Sequence, residues 1–240
     1  MMKFKSSVLF LLILMLFQPC LGQKNQSTLP KIENYSKGEL EIKVIPFGYE
    51  NPIQVGEITA DGTIRFNWDN DISSIKDPEF FMSSLKNTVG MTFCNHKEIE
   101  PYNEEAKSVN ANGLFLYKNG QQVGALLPAT QKEIEDNKGS NRSSSLVLGS
   151  SISWIYADSD VIFNGKCSIN FEQENLYNFT EVTTYTINFK KGWNMILTTL
   201  VEKEDWKNES KIGSLPKTIT KVSITEIPNT INWYLNYWAE

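Results

Sequence analysis

Three features of this 240-residue chain predict an all-β protein made of antiparallel β-sandwich modules. Apolar residues recur with period two over most of its length. The short runs they form are separated by Gly, Asn and Asp turn pairs. Only one stretch, near 77–88, has helical spacing, which points to a sandwich or barrel rather than alternating β and α units.

The elements follow in order. In "ELEIKVIPF" Leu40, Ile42 and Val44 alternate with Glu41 and Lys43, the pattern of a half-buried strand. "IQVGEITADGTIRFNW" reads as two strands joined at Asp61-Gly62, a pair that tolerates the positive φ angles of tight hairpin turns. Phe66 and Trp68 then share a face. In "KDPEFFMSSLKN" Asp77 can cap a helix with Pro78 at its first position, and Phe81, Ser84 and Leu85 have helical spacing. Strands resume in "GLFLYKNGQQVGALL" about Asn119-Gly120. The polar run 131–145 is the best internal boundary. Beyond it, "TTYTINFKKGWNMILTTLVE" reads as two strands about Lys191-Gly192 and "TKVSITEI" as another. "NTINWYLNYW" is aromatic enough to pack but ambiguous in period.

One short segment changes parity. Ile152, Trp154 and Tyr156 are even, whereas Val161, Phe163, Cys167, Ile169 and Phe171 are odd. A regular strand cannot switch faces without an inserted residue, so Ala157–Asp160 is expected to be a bulge or turn. Asn164-Gly165 is expected to be the hairpin turn after it.

The chain divides into a leader at 1–22, a polar tether at 23–37, a β module at 38–130, the linker 131–145 and a second β module at 146–240; one larger sandwich or barrel is the other reading. Lys3 and Lys5, the apolar run Val8–Phe17 and the small residues around "CLGQ" have the order of a secretory signal, with cleavage after Gly22. The alternative makes Cys20 a lipid-bearing N-terminus, but Gln18 and Pro19 stand where such signals place small residues. No later apolar stretch is long enough to span a membrane as a helix. The expected location is therefore outside the cytoplasm: periplasmic, outer-surface or secreted.

The net charge is −5 and no basic cluster occurs, which argues against a nucleic-acid partner. Cys94 and Cys167 remain after the leader. Export permits a disulfide between them, and two buried free thiols are the other reading. The Asn-x-Ser/Thr triplets at Asn25, Asn34, Asn141, Asn178 and Asn208 carry little weight in so Asn- and Ser-rich a chain.

Catalytic signals are sparse. His96 is the single histidine, and a Cys94 or Cys167 dyad with it has no surrounding nucleophile signature. No HExxH, paired CxxC, phosphate loop or dinucleotide fingerprint is present, so no cofactor is expected. Any two of the 28 acidic residues could serve a glycoside hydrolase, and spacing does not select them. Asp158 and Asp160 supply too few oxygens for calcium alone, and would need Asp69 and Asp71 of "WDND" to join them. Parity places Trp68 and Trp154 in the core. Trp206, set among charges in "EKEDWKNES", is the aromatic most suited to stand exposed and bind a ligand.

"YADSDVIFNGK", "INFKKGWNMI" and the cleavage region ending in Gln23 resemble secreted cell-envelope proteins of Bacteroidota. "EIKVIPFGYENPIQVGEITADGTIRFNW" is similar to the opening strands of prealbumin-like, or carboxypeptidase-regulatory-like, modules. These resemblances imply an envelope location and a small sandwich that binds or scaffolds, and bring no catalytic residue. The expectation is an exported, non-catalytic binding or structural protein with glycans or envelope proteins as partners. A carbohydrate-binding module and a glycan-acting hydrolase are the alternatives.

Overall fold

The computed structural model describes residues 29–240 except positions 48, 50, 69–71, 73–81, 92–93, 95–98, 104, 135–145, 174–176, 208–211 and 239–240. Its strands are β1 (Leu40–Val44), β2 (Ile53–Ile58), β3 (Ile64–Phe66), β4 (Ser83–Ser84), β5 (Ile99–Tyr102), β6 (Lys107–Asn110), β7 (Leu114–Lys118), β8 (Gln121–Ala129), β9 (Gly149–Ala157), β10 (Val161–Gln173), β11 (Tyr177–Phe189), β12 (Gly192–Lys207), β13 (Ile212–Ile224) and β14 (Asn232–Tyr237). Among the described residues one short α-helix, α1 (Leu85–Thr88), interrupts them. The protein is all-β.

These strands form one hydrogen-bonded sheet in the order β3-β2-β1-β7-β8-β9-β12-β13-β11-β10-β5. β14 also pairs β8, and β6 pairs both β9 and β4. Among the described residues all strand pairings are antiparallel except one: β11 and β13 run parallel, with Val182 opposite Thr218 and Thr186 opposite Val222. The expectation of purely antiparallel pairing is corrected there. β12 and β13 form a hairpin, and β13 lies between β12 and β11, so the short connection at 190–191 joins two strands that are not sheet neighbours.

Two cores form on opposite faces of the central strands. Ile152 and Trp154 of β9 pack with Leu40, Ile42, Val55, Leu116 and Trp233 in the first core. Ile155 and Ala157, on the other face, pack with Val161, Phe163, Tyr185, Ile187 and Phe189 in the second. β12 is shared in the same way, with Ile196 in the second core and Met195 and Leu197 half-buried against the first. Covering both faces explains why "WIYA" is apolar without alternation. Burying an Ile or Leu fully stabilises the fold by about 1.5–3 kcal/mol relative to exposure, so the shared strands tie the two cores together energetically.

Local turn chemistry agrees with the sequence at two hairpins. Asn119 and Gly120 both have positive φ (52° and 79°), as a two-residue hairpin loop requires. At Asp61-Gly62 the Asp61 carboxylate accepts hydrogen bonds from the Thr59 hydroxyl (2.6 Å), the Thr63 hydroxyl (3.0 Å) and Lys31 Nζ (3.1 Å). Those donors, Thr59 first, hold it well below the usual carboxylate range.

Asn164-Gly165 is a correction. β10 runs straight through it, pairing Asn164 with Thr186 and Glu100, and Gly165 with Tyr185 and Ile99. Pairing on both sides overrides the local preference for a turn, and Gly165 takes a φ of 151° within the strand. The parity change at Ala157–Asp160 is a turn, as expected: β9 ends at Ala157, β10 begins at Val161, and the two pair with different neighbours.

Within the stretch expected to be helical, α1 covers Leu85–Thr88 and buries Leu85; Asp77 and Pro78 lie outside the described residues. The turn after α1 is held to the sheet from below. Lys221 Nζ donates to the Val89 carbonyl (2.6 Å) and the Tyr185 hydroxyl donates to that of Gly90 (3.3 Å). Cys94, a few residues on, is bonded to Cys167 of β10 (Sγ–Sγ 2.01 Å, Cα–Cα 5.1 Å), and both are buried in the second core.

Candidate functional site: an aromatic cleft beside the first core

The first core is not closed on every side. Where β3, the start of β12 and the β13–β14 connection meet, a cleft of about 1900 Å³ opens against it. Its wall is a run of rings. Trp154 and Trp233 are buried at its base, while Phe66, Trp68 and Trp193 are half-buried at its surface. Phe66 stacks on Trp68 (centroids 5.7 Å, 21° between planes), and Trp68 stacks on Trp154 (5.3 Å, 16°). Trp193 meets Trp68 at 5.1 Å and 51°, and meets Tyr156 edge-to-face at 5.7 Å and 79°.

Each ring has a local reason to be there. Gly56 opposes Phe66 across β2 and β3; a Cβ at Gly56 would fall against the Arg65 carbonyl oxygen and 3.2 Å from Phe66 Cα. Only glycine lets β3 approach this closely and lean Phe66 toward the cleft. Trp68 lies just past the end of β3, with the preceding Asn67 N–H donating to Val55 O (2.8 Å). Trp193 follows Gly192, the first residue of β12, whose φ is 106°. Sheet cover ends at these strand termini, so the rings there remain partly open.

The opposite wall is the segment 29–37, part of the run read as a tether. It is anchored beside β3: Ile64 N–H donates to Pro30 O (2.8 Å), Ile32 N–H donates to Gly62 O (3.0 Å), and Lys31 pairs with Asp61 (3.1 Å). The Tyr35 hydroxyl donates to Gly38 O (2.5 Å), and burial, followed by the nearby Tyr237, pushes its pKa up to about 12. Lys37 sits 4.7 Å from the centroid of the Tyr237 ring.

The sequence-derived site residues fall elsewhere. The Asp158 carboxylate accepts from Lys107 N–H (3.0 Å) and the Ser159 hydroxyl (2.7 Å), joining the turn to β6. Asp160 accepts from Lys190 Nζ (2.8 Å) and Lys191 N–H (2.9 Å), and those two donors, Lys190 first, hold it below the ordinary carboxylate range. Asn103 donates to the Asp160 carbonyl (3.2 Å). The turn thus fastens β6, the 103 loop and the 190–191 connection. Asp69 and Asp71 lie outside the described residues, and among those described no group of three or more His, Cys, Asp or Glu side chains comes together. Trp206 pairs with Gly213 near the end of β12, but its side chain and all of His96 lie outside the description. Cys94 and Cys167 are joined to one another, so neither offers a thiol in this state.

Sequence reasoning placed Trp68 in the core and passed over Trp193 and Trp233 as ligand contacts. The available signal was position: Trp68 and Trp193 stand at strand ends beside Asn67 and Gly192, where a neighbouring strand cannot cover them. No family model, curated protein or solved structure matches the chain. No described helix is long and apolar enough to cross a membrane.

Proposed function

We propose that the protein is an exported, non-catalytic binding protein and that the aromatic cleft is its ligand site. One observation carries the reading: Phe66, Trp68 and Trp193 keep part of their surface open on a cleft large enough for a small ligand, although apolar rings in a core normally close over one another. The signal-like leader, the disulfide and the resemblance to envelope proteins support export. A structural role in the envelope is the second reading, favoured by the long two-stranded extensions at the ends of β10–β11 and β12–β13.

A thermal-shift screen of the full chain against oligosaccharides, fatty acids and short peptides tests this. A ligand at a hundred times its Kd stabilises by about 2.7 kcal/mol, which raises the midpoint of a chain of this size by roughly 5–10 °C. The expected result is a shift with one ligand class, reduced in Trp193→Ala. No shift with any class would favour the structural reading.

A further inference from the structure

We infer that the ligand of this cleft is a neutral oligosaccharide, and that the Trp154 indole N–H is the donor reserved for it; the inference rests on the cleft being a binding site. Charge gives the first reason. Lys31 and Lys190 line the cleft, but Asp61 and Asp160 neutralise them at 3.1 and 2.8 Å. Among the described lining residues there remain Lys37 and Lys132 against Glu33 and Glu226, an even balance within an acidic chain. An anionic ligand would need a surplus of lysine there, and a cationic one a surplus of carboxylate.

The rings give the second reason. Phe66, Trp68 and Trp193 follow one another at 5.7 and 5.1 Å, a succession of half-buried ring surfaces along one wall. The C–H faces of pyranose rings are apolar and flat, and pack on such surfaces while their hydroxyls reach polar groups beyond the rings.

Trp154 separates a sugar from an acyl chain, which the rings alone would also accept. Its side chain is 3% exposed and lines the cleft, and its Nε1–H has no acceptor among the described residues. A buried donor without a partner costs free energy. An acyl chain would leave that donor unpaired, whereas a hydroxyl or ring oxygen accepts from it. The donor is shielded by Phe66 and Trp68, packed on Trp154 at 5.7 and 5.3 Å, so a hydroxyl reaches it when Phe66 turns aside and Trp68 and Trp193 stay as the stacking surface. Binding is therefore accompanied by a change in tryptophan emission.

The test is calorimetric titration of the full chain with neutral β-linked glucan and xylan hexasaccharides, a uronate hexasaccharide and dodecanoate. A neutral hexasaccharide binds and shifts the emission, and the uronate binds about tenfold more weakly or not at all. Trp154→Phe, which keeps a ring and removes the N–H, weakens sugar binding about fivefold, and its smaller ring lowers the thermal midpoint of the ligand-free chain as well. Trp68→Ala weakens it about tenfold. Dodecanoate binding without sugar binding overturns the ligand class and leaves the cleft as a site. Equal affinity of Trp154→Phe and the parent overturns the donor assignment. If no probe binds, the binding-site reading falls as well. Should Trp154→Phe not fold, the sugar-against-dodecanoate preference and Trp68→Ala still decide the class.

Discussion

Tyr185 and Lys221 stand opposite each other on the parallel strands β11 and β13, and burial acts on them with opposite sign. It pushes the Tyr185 hydroxyl up to about 12, with the charge of Glu181 adding to the effect, and pushes the Lys221 ammonium down, with Glu181 opposing. Tyr35 is raised to about 12 as well. A group whose pKa rises on folding adds stability below its unfolded pKa and loses it as the pH climbs through the folded value. The two tyrosines therefore stabilise the fold fully below pH 10 and cease to do so by about pH 12. Lys221 has the reverse slope: its protonated form handicaps folding, and the handicap shrinks as the pH approaches 10.5. Denaturation midpoints measured from pH 8 to 12 should fall steeply above 10, and Tyr185→Phe should flatten that fall. An unchanged slope in the variant would remove burial of Tyr185 as its source.

At the level of elements, the Cys94–Cys167 bond joins the segment after α1 to the middle of β10 across a separation of 73 residues. Closing a loop of that length restricts the unfolded chain by about 4 kcal/mol in the chain-entropy model. Replacing both cysteines with alanine should lower the thermal midpoint by roughly 10 °C, and reductant should have the same effect on the parent but none on the variant. A midpoint unmoved by either treatment would show that packing of the second core holds α1 unaided. Sequence left this bond open because it carries no Cα separation, whereas the Asn119-Gly120 and Asp61-Gly62 turns were legible because their φ requirements are local. Asn164-Gly165 has the same dipeptide as a true turn. It became a strand because β5 and β11 take up its backbone from both sides, and β5 comes from a distant part of the chain. The parallel pairing of β11 with β13 escaped notice for the same reason. Trp154 was legible from alternation, but the openness of Trp68 depends on where β3 stops and on the cover left by β12 and β14.

The whole molecule turns on β9 and β12. Each contributes to both cores, so the strands before the polar run 131–145 and those after it share their buried surface. A fragment limited to residues 38–130 would keep β1 to β8 but lose Ile152, Trp154, Ile231 and Trp233 from the first core. It would also leave β8 without β14, and leave Leu85 and Val89 without the second core they pack into. Losing several large buried side chains at about 2–5 kcal/mol each exceeds the 5–15 kcal/mol by which domains are ordinarily stable. The fragment is therefore expected to show no cooperative thermal transition and no near-ultraviolet dichroism. The full chain is expected to unfold in one transition, with tryptophan emission from the first core and tyrosine dichroism from the second changing together. A cooperative transition in the fragment, or two separated transitions in the full chain, would instead mean that each side of 131–145 holds a module able to stand without the shared strands.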